Sequence, residues 1–366
     1  MSTPSSPLTI DLLARVLSNS IFHPFIAWLI PLCLRSLQAP YHSFEFRATS
    51  FYASIVTLCW ILSILNNRIA HGRPRVVDWD EEVVVITGGA NGLGRVIAET
   101  YGMRGARVAV LDVDGPDQME GEEGEEGLAG VKFYRCDIGN AEEVVDVAGR
   151  IQRDLGTPTI LINNAGIVNG KRIWELSAQE VQRNMNVNLL AHFHTIRTFL
   201  PGMLTTSQNG GTIVTIASVL GKLGASHLSD YCAAKAGLIA MHTSLRSELA
   251  SSSSLPSSST TTSSKTLRHH PQKIRTILVT PGQLSTRLFS TLQTPSNFFG
   301  PVVETVELAR EIISKIDAGE SGEISFPFYA RWIEWNCILP RGVQEWMRVV
   351  SGIDRAMGLA REKEGK

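Results

Sequence analysis

Two uncharged apolar stretches occupy the first 70 residues, and a different texture follows them. The run Ala48 to Leu65, ATSFYASIVTLCWILSIL, holds 18 residues without a charge, and at about 1.5 Å rise per residue it spans most of a roughly 30 Å hydrocarbon layer. It predicts a membrane helix. An earlier run, Val16 to Leu34, is also free of acidic and basic side chains but contains Pro24 and Pro31, which kink or break a helix. A re-entrant or interfacial segment therefore competes with a second span, and the two runs together predict a hairpin anchor over residues 1–75. A cleaved signal peptide fits poorly, because Asp11 and Arg15 make a weak basic start and the stronger apolar run lies far from Met1. A buried pair of core helices is the other alternative. Arg68, Arg73 and Arg75 follow the second run, against Arg35 and Arg47 between the two, a slight bias toward a cytosolic catalytic domain.

From Val76 onward the runs shorten and become β-rich: EVVVITG, ARVAVLDVD, VKFYRCDI, TILINNAG, GTIVTIAS and IRTILVTPG, separated by helix-length segments. Strands this continuously apolar are buried on both faces, which predicts βαβ units and a doubly wound parallel sheet over residues 76–330. Two polar stretches interrupt the alternation. Residues 115–130 are acidic and glycine-spaced, and residues 251–265 are almost all Ser and Thr; both read as solvated excursions, the second as disordered. The tail, residues 331–366, sets Trp332, Trp335 and Trp346 among Arg331, Arg341 and Arg348. That composition suits a membrane interface, with a lid or core packing as alternatives.

Composition narrows the class. A formal charge of −1, from 34 basic and 35 acidic residues, provides no broad attraction for nucleic acid. The five cysteines, Cys33, Cys59, Cys136, Cys232 and Cys337, form no CxxC pair and no cluster with histidine, so neither a disulfide framework nor a metal site is expected. The chain contains no Asn-x-Ser/Thr sequon. A small neutral substrate fits this balance best.

Two motifs carry the chemistry. In VVVITGGANGLGR a strand runs through Thr87 and Gly88 into a glycine turn with Asn91, Gly92, Leu93 and Gly94, and then into a helix. Glycines there let the backbone approach a pyrophosphate, and the helix N-terminus offers free amides. Asp112 closes the next strand 18 residues after Gly94; an acid at that point accepts hydrogen bonds from both ribose hydroxyls of NAD and repels the 2′-phosphate of NADP. Arg95 tempers that preference and keeps NADP open. Further along, SDYCAAKAG puts Tyr231 and Lys235 four residues apart, on one helical face. An ammonium beside a phenol favours the phenolate, which suits a general base.

Together with Cys136-Asp137-Ile138, Asn163-Asn164-Ala165-Gly166, Asn188 and Ser218, these segments resemble the classical short-chain dehydrogenase/reductase family. The resemblance runs from about Val76 to Pro327. It implies a Rossmann-type sheet of about seven parallel strands, helices on both faces and a bound nicotinamide cofactor. It also implies that Asp137 contacts the adenine ring, that Asn164 serves as a main-chain and ribose-side contact, and that Pro281, Gly282 and Thr286 lie near the carboxamide. Asn188 rather than Asn186 takes the place of the family's catalytic asparagine, because the helical LLAHF follows it. Ser218 would hold the substrate oxygen, Tyr231 would remove the hydroxyl proton, Lys235 would bind ribose and tune the tyrosine, and Asn188 would support a water relay. His192, His194, His227 and His242 are scattered and read as structural.

Among membrane-associated members, NVNLLAHF and IVTIASVLG are similar to retinol dehydrogenases and to 17β-hydroxysteroid dehydrogenases of the endoplasmic reticulum and lipid droplets. The implied partners are a lipophilic alcohol or carbonyl and a membrane or droplet surface, with a homo-oligomer a further expectation. An NADPH-dependent biosynthetic ketoreductase is the second enzymatic reading. A non-catalytic scaffold would be expected to lose Tyr231, Lys235 or Ser218, and all three are present.

Overall fold

The structure is a computed structural model that describes residues 9–115, 130–205, 209–251, 273–286, 288, 298 and 300–352. The core of the acidic stretch, the Ser/Thr-rich stretch and the tail beyond Gly352 lie outside the described residues. Two compact units divide after Arg73, except that residues 298, 300 and 301 group with the first.

In the second unit seven strands form one parallel sheet: β1 (Val83–Thr87), β2 (Arg107–Asp112), β3 (Val131–Arg135), β4 (Ile160–Asn163), β5 (Gly211–Ile216), β6 (Ile274–Pro281) and β7 (Gly322–Phe326). Their order is β3-β2-β1-β4-β5-β6-β7. This is the doubly wound, Rossmann-like arrangement. The first six strands fall within the six apolar runs of the sequence. The seventh, GEISF, is short and carries the exposed Glu323, so its pattern is faint.

Alternation along the strands feeds two cores. Val84 and Ile86 face one side with Val108 and Val110, against Ile97 and Tyr101 of α4 (Gly92–Met103) and Leu308 and Ile312 of α9 (Thr305–Asp317). Val83 and Val85 face the other side, against Val144 and Ile151 of α5 (Ala141–Asp154), Phe199 of α7 (Ala191–Thr205) and Leu245 of α8 (Ser229–Ser251). Between α5 and α7 lies α6 (Ala178–Met185), started by a capping box in which Ser177 and Glu180 satisfy each other's amides. The strand order reverses between β1 and β4, which opens a crevice beyond their carboxyl ends.

Arg75 belongs to this unit rather than to a membrane flank. Its guanidinium is buried, pairs with Glu82 at 2.7 Å and donates to the Thr212 hydroxyl at 2.9 Å. The Thr159 hydroxyl donates to the other Glu82 oxygen. This cluster ties together the amino-terminal ends of β1, β4 and β5, so Arg75 drops out of the basic bias and the boundary moves ahead of it. The tail through Gly352 also belongs to this unit.

The first unit contains α1 (Ile10–Asn19), α2 (Pro24–Ser36) and α3 (Phe44–His71). Ser43 caps α3 by accepting from the Phe46 amide. Among the described residues α3 is the one helix long and apolar enough by itself to cross a membrane: 28 residues, a mean hydropathy of 1.8 and 6% of its apolar window buried. Pro24 begins α2 instead of breaking it, and α1 and α2 meet at a 52° bend. Ala27, Ala53 and Val56 are the buried contact of α2 with α3, and the Trp28 indole donates to the Thr57 hydroxyl at 2.9 Å.

Candidate active site

A cleft of about 1500 Å³ lies at the carboxyl ends of the strands. Its floor at one end is the glycine turn between β1 and α4. Gly88 has φ +64°, and a Cβ there would stand 2.6 Å from the Ala165 backbone; a Cβ on Gly94 would stand 2.4 Å from the Gly88 carbonyl. Only glycine lets the helix sit this close to the strand. Asn91 precedes α4 without capping it through its side chain, so the first-turn amides point to the cleft with the positive end of the helix dipole behind them.

Asp112 ends β2 on the cleft wall. Its Oδ2 accepts from the Ala90 amide at 3.0 Å and its Oδ1 from the Val113 amide at 2.8 Å, which fixes the carboxylate beside the glycine turn with lone pairs to spare. Arg95 also lines the wall, but its guanidinium is held by Glu99 at 2.6 Å. Asp137 lies on the wall and accepts from the Gly139 amide. Asn164 spends its amide group on the Thr87 and Gly88 carbonyls, at 3.2 and 2.8 Å.

Further along, Ser218, Tyr231, Lys235, Pro281 and Gly282 share the wall, while Thr286 lies against the glycine turn, its side chain 3.2 Å from where a Cβ on Gly92 would stand. Ser218 stands at the end of β5, where its hydroxyl caps a short 3-10 turn by accepting from the Leu220 amide at 3.1 Å. Tyr231 and Lys235 rise from the first turns of α8, both buried. Lys235 Nζ lies 5.6 Å from the centre of the Tyr231 ring and donates to the Ile216 carbonyl at 2.9 Å.

The electrostatics differ from the sequence expectation. Burial raises the Tyr231 phenol well above its ordinary value, and a hydrogen bond with Ser218 is what pulls it back down. Lys235 is not among the causes: burial pushes its own ammonium down to about 7. A lysine that has lost much of its charge near neutral pH does little for a neighbouring phenolate.

Three expected site residues stand behind the wall. Thr87 is buried, and its hydroxyl accepts from the Asn164 and Ala165 amides at 3.0 and 3.2 Å, clamping β1 to β4. Gly94 is the packing contact described above. Asn188 sits in a π-helical turn (Asn186–Leu190) between α6 and α7, a distortion common at functional sites. It grips the Ile167 backbone at both polar groups, 3.0 and 2.8 Å, and donates to Asn184 at 2.9 Å. A Cβ on Gly166 would lie 2.9 Å from Asn188 Oδ1 and 3.8 Å from Lys235 Nζ.

Asn186, set aside in the sequence, is the asparagine that lines the wall, with Gln182, Arg183 and His194. Gln182 donates to Asn186 at 2.7 Å. Gln182 and Arg183 stand four and three residues before Asn186, on one helical face with it, which is the signal that could have revealed them. His192 is buried close to Lys235 and to His242, which is buried too and hydrogen-bonded to the Thr215 hydroxyl at 3.0 Å. Burial holds His192 well below its ordinary value, with Lys235 and His242 adding to the effect, and takes His242 down to about 4. Both are neutral.

A doubly wound sheet with a glycine turn, a strand-end acid and a Ser-Tyr-Lys group in one crevice defines a nicotinamide-dependent oxidoreductase. The comparisons agree. A family profile described as short chain dehydrogenase matches residues 82–253. Short-chain dehydrogenase/reductase family 16C member 6 of Bos taurus is 35% identical over 64% of this chain and 69% of its own length. Epidermal retinol dehydrogenase 2 of Mus musculus is 32% identical over 70% and 78%. A short chain dehydrogenase from Burkholderia cenocepacia, solved with NADP, shares the fold at a TM-score of 0.54 and 24% identity, covering 71% of this chain and 94% of its own. The chain belongs to the short-chain dehydrogenase/reductase family, and is an NAD(P)-dependent oxidoreductase.

Proposed function

We propose that this protein is a membrane-anchored dehydrogenase that transfers hydride between NAD(H) and a lipophilic primary or secondary alcohol or its carbonyl. The observation that carries the reading is the buried Tyr231 phenol, hydrogen-bonded to Ser218 and flanked by Lys235 on one wall of the cleft. The residues fit the cofactor: the uncapped start of α4 would hold a pyrophosphate, Asp112 would bind the adenosine ribose, and Lys235 would bind the nicotinamide ribose. When bound, the nicotinamide supplies a hydride acceptor or donor and, in its oxidised form, a positive charge.

The chain's own groups do the rest. In the oxidative direction Ser218 holds the substrate oxygen, and Tyr231 takes the hydroxyl proton as the carbinol hydrogen departs as hydride. Reduction is the reverse, with the neutral phenol as acid. Since burial raises the phenol, the protonated form dominates at neutral pH and dehydrogenation should gain with rising pH. Asn188 acts at one remove, by fixing the Ile167 backbone beside Lys235.

The unburied apolar face of α3 supports the anchor, and relatives that include a mouse retinol dehydrogenase support a lipophilic substrate. The sequence motifs shared with membrane-associated members support, as part of this proposal, a membrane of the endoplasmic reticulum or a lipid droplet with the catalytic unit toward the cytosol. The test is titration of NADH and NADPH, followed by nicotinamide fluorescence, beside Asp112→Ala. Tighter NADH binding that is lost in the variant supports the reading. Tighter NADPH binding, with Arg95 released from Glu99 to meet a 2′-phosphate, would move an NADPH-dependent reductase to first place.

A further inference from the structure

The tail of the catalytic unit ends in α10 (Arg341–Ser351), an amphipathic helix on which no residue is buried. Arg341, Glu345 and Arg348 line a shallow groove with Gly224, Ser226 and Cys232, and Arg348 donates to the Gly224 carbonyl at 2.8 Å. Arg348 is thus the side chain that ties the helix to the body, while Arg341 and Glu345 pair with each other at the surface. Val343, Trp346, Met347 and Val350, spaced i, i+3, i+4 and i+7, make the opposite stripe, and Trp346 and Val350 are each 65% exposed.

The turns before α10 add to this surface, with Trp332, Trp335 and Ile338 at 54, 63 and 76% exposure. Exposed large apolar side chains gathered on one helix and the turns before it mark an interaction surface.

We propose that the outward stripe of α10, with Trp332, Trp335 and Ile338, lies in the headgroup layer of a lipid bilayer. Three observations favour lipid over a second copy of the chain. The exposed set pairs tryptophan with exposed Arg331 and Arg341 and has no acid on its stripe, the composition of interfacial segments beside anionic headgroups. The apolar side chains are spread over two separate turns and a helix instead of forming one flat patch. The same chain carries α3, whose apolar window is 6% buried. The proposal does not depend on the reaction.

It has a consequence for the site. The tail is docked on the segment that leads into Tyr231: Lys222 pairs with Glu334 at 2.9 Å, and Ala330 and Ile333 pack in the cluster that holds Leu220, Leu228 and Tyr231. Seating the tail in lipid would steady that wall.

The experiment uses the full chain in nanodiscs of phosphatidylcholine and phosphatidylserine, with and without brominated acyl chains. The emission of Trp346 is obtained as the difference between wild type and Trp346→Phe, and Trp335→Phe repeats the measurement on the preceding turn. NADH binding checks that each variant is folded. Blue-shifted difference emission, quenched by at least about two-fold with brominated lipid, is expected. Emission typical of water, or blue-shifted emission that bromine leaves unquenched, would overturn the proposal, the second outcome in favour of a protein partner.

Discussion

Replacing Lys235 by methionine should make the nucleotide-free protein more stable while abolishing its activity. Lys235 is 3% exposed, its ammonium donates to the Ile216 carbonyl, and burial takes its pKa from 10.5 to about 7. The unfolded chain keeps the proton up to the higher value and the folded chain releases it near the lower one. Between them the unfolded state binds more protons, so folding stability rises with pH. At about 1.36 kcal/mol per pH unit the buried lysine costs the fold about 5 kcal/mol at pH 7, a cost constant below that pH and gone above the higher pKa.

Methionine fills a similar volume without a charge. Even half of that figure is roughly 5–10 °C in Tm for a domain of this size. Thermal unfolding of the solubilised wild type and Lys235→Met between pH 6 and 10 tests the argument. The variant should melt higher at pH 7, with the difference shrinking toward pH 10. A variant that melts lower at pH 7, or a difference that does not change with pH, would refute the reasoning. Dehydrogenation should fall about 100-fold or more in either case.

Two further outcomes follow from packing. Gly94→Ala puts a methyl 2.4 Å from the Gly88 carbonyl, so α4 must move off β1; nucleotide affinity should drop at least about ten-fold in a fluorescence titration, with about 1–3 kcal/mol lost in denaturant unfolding. Glu82→Gln breaks the buried pair with Arg75 and should cost about 3 kcal/mol by the same unfolding measurement, leaving NADH affinity unchanged in protein that remains folded.

Local patterns announced most of this molecule. Five strands were visible because each is buried along nearly its whole length and so reads as an apolar run, β3 (VKFYR) being the more polar exception, and the glycine turn and the Tyr231–Lys235 pair were visible because their spacing within single elements is short, Asp112 and Ser218 through the motifs they share with the family. What stayed hidden depends on distant parts of the chain. Arg75 looked like a membrane flank until Glu82, Thr159 and Thr212 surrounded it. The pairing of Tyr231 with Lys235 suggested a depressed phenol, because helical spacing reveals proximity but not burial, and burial dominates both groups. Asn188 was singled out by the motif around it, but its grip on the Ile167 backbone and the place of Asn186 on the wall depend on a π-helical turn that residue types do not announce.

The account stands or falls on Tyr231 as the group that exchanges the substrate proton. The most direct test is the rate of NADH formation from NAD⁺ with a panel of lipophilic primary and secondary alcohols, for the wild type and for Tyr231→Phe with matched NADH affinity. The account predicts turnover by the wild type that rises with pH and falls by about 100-fold or more in the variant. Equal rates for the two proteins, or tight NADH binding with no turnover of any alcohol or carbonyl by the wild type, would contradict it.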